Sequence, residues 1–196
     1  MGDGDDEPVI DPGWRDAWAG VLWMPTMFLL QRRLRTSTLP TLLLVRRVLV
    51  MFATAGLGFG AILAALGSRH TAWSSGSALR LGGVVLVGGL LLQLVARRFL
   101  TPPIPCGEPK AVAAAYRVRF FFRAVIANAI AYVGFTLSFI TGRWWVYLFG
   151  LAAAAVGMGV AAPTRAAVER EWRDLVERGC EVNLLAALMQ PRPSSR

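Results

Sequence analysis

Four long apolar runs, each bounded by arginine or proline, set the plan of this chain. Val48 to Gly67 follows Pro40 and the pair Arg46-Arg47, and contains no charged side chain. Leu81 to Ala96 holds a single amide, Gln93, and its helix extends through Arg97 and Arg98. After Arg123 the polar side chains are limited to Asn128, Tyr132, Thr136, Ser138 and Thr141. Trp144 to Ala162 is uncharged and stops at Pro163-Thr164-Arg165, where proline and arginine suit a return to water. Runs of this length approach the roughly 20 residues a helix needs to cross hydrocarbon. The pattern therefore predicts an all-α membrane protein: four transmembrane helices as two hairpins, with cytoplasmic amphipathic helices at both ends.

The first hairpin occupies residues 41–100 and the second 111–163, the latter closing at the tight link Thr141-Gly142-Arg143. Between them, residues 101–110 form a proline-rich linker, since Thr101 to Pro109 carries four prolines. Residues 1–13, acidic and rich in glycine and proline, read as a disordered tail without the features of a secretory signal. Residues 14–40 read as an interfacial amphipathic segment: Trp14, Trp18, Val21, Leu22, Phe28 and Leu29 fall near helical spacing, interrupted by Pro25. A folded-back or additional membrane segment is the alternative there. Ser68 to Arg80, with His70 and Trp73, reads as an exposed loop. Residues 164–190 read as a second amphipathic helix, with Val168, Trp172, Leu175 and Val176 on one face and Gly179 ending or bending it. Residues 191–196 are a tail.

Composition agrees: 55% of residues are hydrophobic and the mean hydropathy is positive. A net charge of +9 would suggest nucleic acid in a soluble chain, but here the arginines gather at the ends of apolar runs. Membrane lipids, not nucleic acid, are the expected partners. Six arginines and lysines precede the first run, six lie between Arg97 and Arg123, and six follow from Arg165; the other two loops share three. By the positive-inside rule both termini are cytoplasmic, in a multi-pass protein of the plasma membrane. Arg32, Arg33, Arg35, Arg46, Arg47, Arg97, Arg98, Arg119, Arg123 and Arg165 are the expected lipid-headgroup contacts. Trp73, Trp144 and Trp145 would anchor the outer interface and Trp172 the inner one.

Helix packing is expected at Gly56 and Gly60, a GxxxG pair, at Gly157, and at Asn128. The pair either marks a close contact or arises by chance in a glycine-rich run. Asn128 reads as an interhelical hydrogen bond to Gln93, Thr54 or a backbone carbonyl, with a solute path as the alternative. Gly58-Phe59 follows Arg47 at the same interval as Gly134-Phe135 follows Arg123, which suggests either a parallel repeat or convergence on membrane composition.

No apolar core contains Asp, Glu, His or Lys. Membrane enzymes and ion-coupled carriers retain such residues despite a cost of roughly 2.5 to 3.5 kcal/mol. Nothing in the chain resembles a carboxylate pair, a Ser/His arrangement, a metal-ligand cluster or a phosphate-cradling loop, so no catalytic residue, metal site or cofactor is assigned. Cys106 and Cys180 both fall on the side assigned to the cytoplasm, so reduced thiols and no disulfide are expected. The leading expectation is a non-enzymatic structural or accessory subunit that docks a partner protein or anionic lipid at the inner leaflet, within a membrane-protein complex or homo-oligomer. The alternative is a small oligomeric channel or carrier lined by Asn128, Gln93 and Thr54.

The second hairpin, with Arg123, Gly134-Phe135, Thr141-Gly142 and the exit Pro163-Thr164-Arg165 into Glu169-Arg170-Glu171, resembles small bacterial four-helix membrane proteins of uncharacterised function over roughly Arg119 to Asp174. Their third helix often carries a glutamate where this chain has Asn128 or a neighbouring alanine. The resemblance implies a four-helix membrane fold and lends no activity.

Overall fold

The computed structural model describes residues 13–22, 40–67, 74–180 and 182–189, and these are helical wherever they are regular. Residues 1–12 of the acidic tail, Trp23, Pro25, Arg32, Arg33, Arg35, His70, Trp73 and the final tail lie outside the described residues.

Helix α1 covers Arg15–Leu22 and α2 covers Thr41–Leu66. Pro40 precedes α2 and its carbonyl accepts from Leu44 N (3.2 Å), a place where proline's missing N–H is not needed. Helix α3, Ser75–Val95, begins where the Ser74 hydroxyl accepts from Ser77 N, so Ser75 to Arg80 is helix and not the loop that the serines and glycine suggest. A π-helical turn, Ala96–Leu100, extends α3 through Arg97 and Arg98, and Thr101 Oγ1 donates to the Ala96 carbonyl at 3.0 Å. Helix α4, Pro109–Thr141, is 33 residues long, about 50 Å at 1.5 Å per residue. It ends in a Schellman motif: Gly142 takes φ +63°, its N–H donates to Phe139 O, and Arg143 N donates to Ser138 O.

Helix α5, Val146–Ala161, has only 16 residues, about 24 Å, short of a hydrocarbon layer of about 30 Å. Helix α6, Arg165–Glu177, follows it behind a Thr164 cap, and α7 is Leu184–Met189. Three helical stretches, α2, α3 with its π turn, and α4, are long and apolar enough to cross a membrane; a fourth qualifies only if α5 and α6 are taken as one span bent by 57°. The protein is thus an all-helical, multi-pass type of chain with three to four such segments.

Two compact units divide the chain, and they cut across its hairpins. One, here the apolar unit, comprises Val48–Pro103 and Arg117–Ala162; the other, the flanking unit, comprises Met1–Arg47, Ile104–Tyr116 and Pro163–Arg196. Helices α2 and α4 contribute residues to both.

In the apolar unit the short α5 is the hub, as its lack of a polar face predicts. Gly134 of α4 meets Gly150 of α5 so closely that a Cβ on either would lie 2.9 Å from the other's Cα. On the α3 side, a Cβ at Gly89 would lie 2.7 Å from Ile130 Cγ2 and 3.3 Å from Ala153 Cβ, and Gly82 receives the Phe149 ring. On the α2 side, Tyr147 Oη donates to the Gly56 carbonyl at 2.8 Å. In hydrocarbon no hydrophobic force brings helices together, so contact depends on such close approach.

The flanking unit has a different interior. Leu42, Ile104, Val112, Tyr116, Val168, Leu175, Leu184 and Leu188 form an apolar cluster around Cys180. Helix α6 supplies Val168 and Leu175, two positions of its predicted apolar face, while Trp172 and Val176 of the same predicted face are 37% and 51% exposed. A second Schellman motif closes α6: Gly179 takes φ +82°, Gly179 N donates to Val176 O, and Cys180 N donates to Leu175 O. That turn carries Cys180 to Cys106, to which it is disulfide-bonded with the Cα atoms 5.3 Å apart. The expectation of two reduced thiols is therefore corrected. It rested on compartment alone, whereas the pairing depends on proximity between residues 74 apart, set by buried Ile104 on one side and the α6 terminus on the other. Arg178 Nη1 also donates to the Ile104 carbonyl at 3.4 Å.

Candidate functional site

Where α3 leaves its regular winding, the apolar unit opens a crevice of about 180 Å³. Leu90, Gln93 and Leu94 line it from α3, and Ala96 and Arg97 from the π turn. Arg123 and Ile126 face it from α4, and Val156, Gly157 and Val160 from α5. These positions follow from helical spacing: 90, 93, 94 and 97 share one face of α3, as 123 and 126 do on α4 and 156, 157 and 160 on α5. Arg97 is exposed and Arg123 half-buried, so two guanidinium groups stand over walls that are otherwise aliphatic. Gln93 is committed to packing, its Nε2 donating to the Ala153 carbonyl at 2.9 Å. Its side chain occupies the space a Cβ on Gly157 would need, which is what glycine provides there.

The arginines grouped as headgroup contacts separate by position. Arg46 is not a surface residue: it is 1% exposed, and this corrects the expectation. Its Nε and Nη2 donate to the Pro163 carbonyl at 3.3 and 3.2 Å, Nη1 donates to Gly13 O at 2.9 Å, and the guanidinium lies 5.2 Å from the Trp14 ring centroid. A charge is tolerated inside only with such partners. The signal was present in the sequence, because Arg46 shares a helical face with Leu42, Val45 and Leu49. Arg47, one position on, is half-buried and reaches Asp16 O at 3.4 Å. Arg98 is exposed and Arg119 half-buried. Arg165 is exposed and pairs with Glu169 at 2.7 Å.

Gly56 and Gly60 receive side chains: a Cβ on either would come within 3.2 Å of Leu151 Cδ1 or Tyr147 Cε1, respectively. Trp144 packs beside the buried Leu63–Tyr147 cluster, and Trp145 meets Phe149 edge-on at 6.2 Å. Asn128, Gln93 and Thr54 are not brought together. Asn128 lines a void of about 20 Å³ with Phe52, Tyr132 and Tyr147, and Thr54 Oγ1 donates to Val50 O and Met51 O of its own helix, both at 3.0 Å. The residues unmarked in the sequence are Gly150, whose role depends on the α4–α5 crossing, and Ile126, Val156 and Val160, ordinary aliphatics until three helices converge.

Among the described residues, no three His, Cys, Asp or Glu side chains group as metal ligands would. Comparison with known protein families, curated proteins and solved structures finds no match to this chain.

Proposed function

We propose that this chain is a non-enzymatic multi-pass membrane protein, a structural or accessory subunit that engages anionic lipid at the inner leaflet. The observation that carries this reading is the common placement of cations on the segments able to cross a membrane. Arg47 lies in the first part of α2, Arg97 and Arg98 at the end of α3, and Arg119 and Arg123 in the first part of α4. Helices that alternate in direction put all of these at one level, where the positive-inside rule places the cytoplasm. Each arginine near an anionic surface contributes about 1 kcal/mol. In the flanking unit α6 exposes Arg165, Arg170 and Trp172, but it also carries Glu169, Glu171, Asp174 and Glu177, so it offers individual arginines and an aromatic ring and not a net positive face.

The test is the thermal stability of full-length protein in nanodiscs of phosphatidylglycerol against phosphatidylcholine, together with protease cleavage of the C-terminal segment in vesicles of known sidedness. The reading expects a higher Tm with the anionic lipid, reduced by Arg165→Glu with Arg170→Glu, and cleavage only from the cytoplasmic side. Equal stability in both lipids, or cleavage from the outer side, would overturn it.

A further inference from the structure

We infer that the crevice beside the π turn is a binding site for one anionic phospholipid. Its phosphate is held by Arg97 and Arg123, and the upper part of one acyl chain lies against Leu90, Leu94, Ile126 and Val156. This rests on the proposal that the arginine-bearing ends face anionic lipid, and it narrows that general attraction to one place and one stoichiometry.

The shape fits a lipid better than a solute. Solute pockets are commonly 300–1,000 Å³ with several convergent polar groups, whereas a hydrocarbon-lined cavity of about 150 Å³ suffices for a benzene-sized group. Here the volume is about 180 Å³, and the one amide on the wall, Gln93, directs its Nε2 to Ala153 O. The charged groups lie at one end only. Leu90 is seven residues from Arg97, roughly 10 Å of helix, so the aliphatic wall runs about a third of the way into a hydrocarbon layer of about 30 Å.

The chemistry of the rim also selects the occupant. Arginine presents a planar fork of donors that matches phosphate oxygens, and two such groups on different helices converge on one opening. Both α3 and α5 arrive there by their carboxyl ends, whose partial negative charge disfavours an anion held by backbone alone. Recognition therefore falls to the guanidinium groups and retention to the acyl chain, which is why the occupant is a lipid and not inorganic phosphate. The π turn is the device that builds the rim. Such turns are uncommon and recur at functional sites, and this one places Arg97 at the mouth while Ala96 is buried and Thr101 satisfies its carbonyl.

The experiment is native mass spectrometry of the full-length protein, delipidated and then exposed to phosphatidylglycerol, phosphatidylcholine or inorganic phosphate. One phosphatidylglycerol per chain should be retained. Retention should fall about fivefold for Arg97→Gln or Arg123→Gln and about thirtyfold for the pair. Arg80→Gln, at an exposed residue near the start of α3 and outside the crevice, should leave it unchanged. Val156 is 53% exposed, so Val156→Trp should fold, fill the apolar wall and lower retention with both arginines intact. Helicity and elution volume identify variants that have not folded, and the single substitutions Arg97→Gln, Arg123→Gln and Val156→Trp keep the comparison decisive if the pair fails. Equal retention of phosphatidylcholine, displacement by millimolar phosphate, or indifference to Val156→Trp or to the arginine substitutions would overturn the site. If these variants are inert while anionic nanodiscs still raise Tm, only the site is lost; if no anionic preference is seen anywhere, the broader reading goes with it.

Discussion

The two units of this chain are held by opposite means. In the apolar unit, cohesion comes from what is missing: Gly134 and Gly150 let two backbones touch, and Gly82, Gly89 and Gly157 admit a ring, a branched chain and an amide. In the flanking unit it comes from what has been added: a buried guanidinium and a disulfide. A chain whose long apolar helices cross a membrane and whose remaining helices lie outside it would show this difference. Where lipid surrounds the helices, apolar area gives no net drive to associate and surfaces must fit. Where water surrounds them, an aliphatic cluster forms readily, and polar ties then fix which segments share it.

The largest effect should come from breaking the glycine crossing. Gly150→Val would push a branched side chain into Gly134 Cα and the Ile130 carbonyl, both 2.9 Å from the added Cβ, and neither is the movable end of a side chain. A loss of about 4 kcal/mol, at the severe end for overpacking, is expected from unfolding in mixed micelles. Gly58→Val is the control, since nothing lies within 4 Å of a Cβ there. If the two variants lose stability equally, α4 and α5 are not in backbone contact.

Next is the buried cation of the flanking unit. Arg46→Leu keeps an apolar stem but strands the Pro163 and Gly13 carbonyls and uncovers Trp14, which should cost about 3 kcal/mol. Arg47→Leu, next in sequence but half-buried, should cost less than about 1 kcal/mol. Denaturant midpoints of the two proteins decide it, and a difference near zero would return Arg46 to the surface.

How much of this was legible in the sequence varies with the range of the interaction. Long apolar helices, the Pro40 start, the Gly142 link and the Gly179 stop are local properties of composition and backbone conformation, and they can be read directly. Helix length was less legible. Trp144 to Ala162 is apolar throughout, but the turn after Gly142 and Pro163 trim the regular helix to Val146–Ala161. Pairings across the chain were not legible: the Cys106–Cys180 bond joins residues 74 apart, and Gly150 is one glycine among many until α4 lies on it. The crevice stands between these cases, because Arg97 and Arg123 were marked by charge while the aliphatic walls that make them a site were not.

The disulfide sharpens the comparison further. Replacing both Cys106 and Cys180 by serine should cost about 2 kcal/mol, below the roughly 4 kcal/mol that closure of so long a loop suggests, because the intervening apolar helices remain confined by lipid when the flanking unit unfolds. The loss should appear as faster amide exchange in α6 and leave α3 unchanged. Alkylation of the unfolded protein from whole cells reports the pairing in place: a cytoplasmic flanking unit should show a fraction of reduced thiols that rises when the glutathione pool is reduced. Full oxidation that ignores the cytosolic redox state would argue for the opposite orientation.

The smallest effect tests whether the units differ only in their interiors. Helix ends are governed by the same unsatisfied N–H groups in either unit, and each has a hydroxyl cap of the same kind: Ser74 accepts from Ser77 N at 3.1 Å and Thr164 from Ala167 N at 3.2 Å. Ser74→Ala and Thr164→Ala should each cost about 1 kcal/mol, measured by exchange of the first-turn amides of α3 and α6. Equal losses mean that the contrast begins only where helices meet one another. A much larger loss at Thr164 would mean that the cap also positions Pro163, whose carbonyl is the acceptor for Arg46, and would make α6 docking and the buried cation one cooperative element.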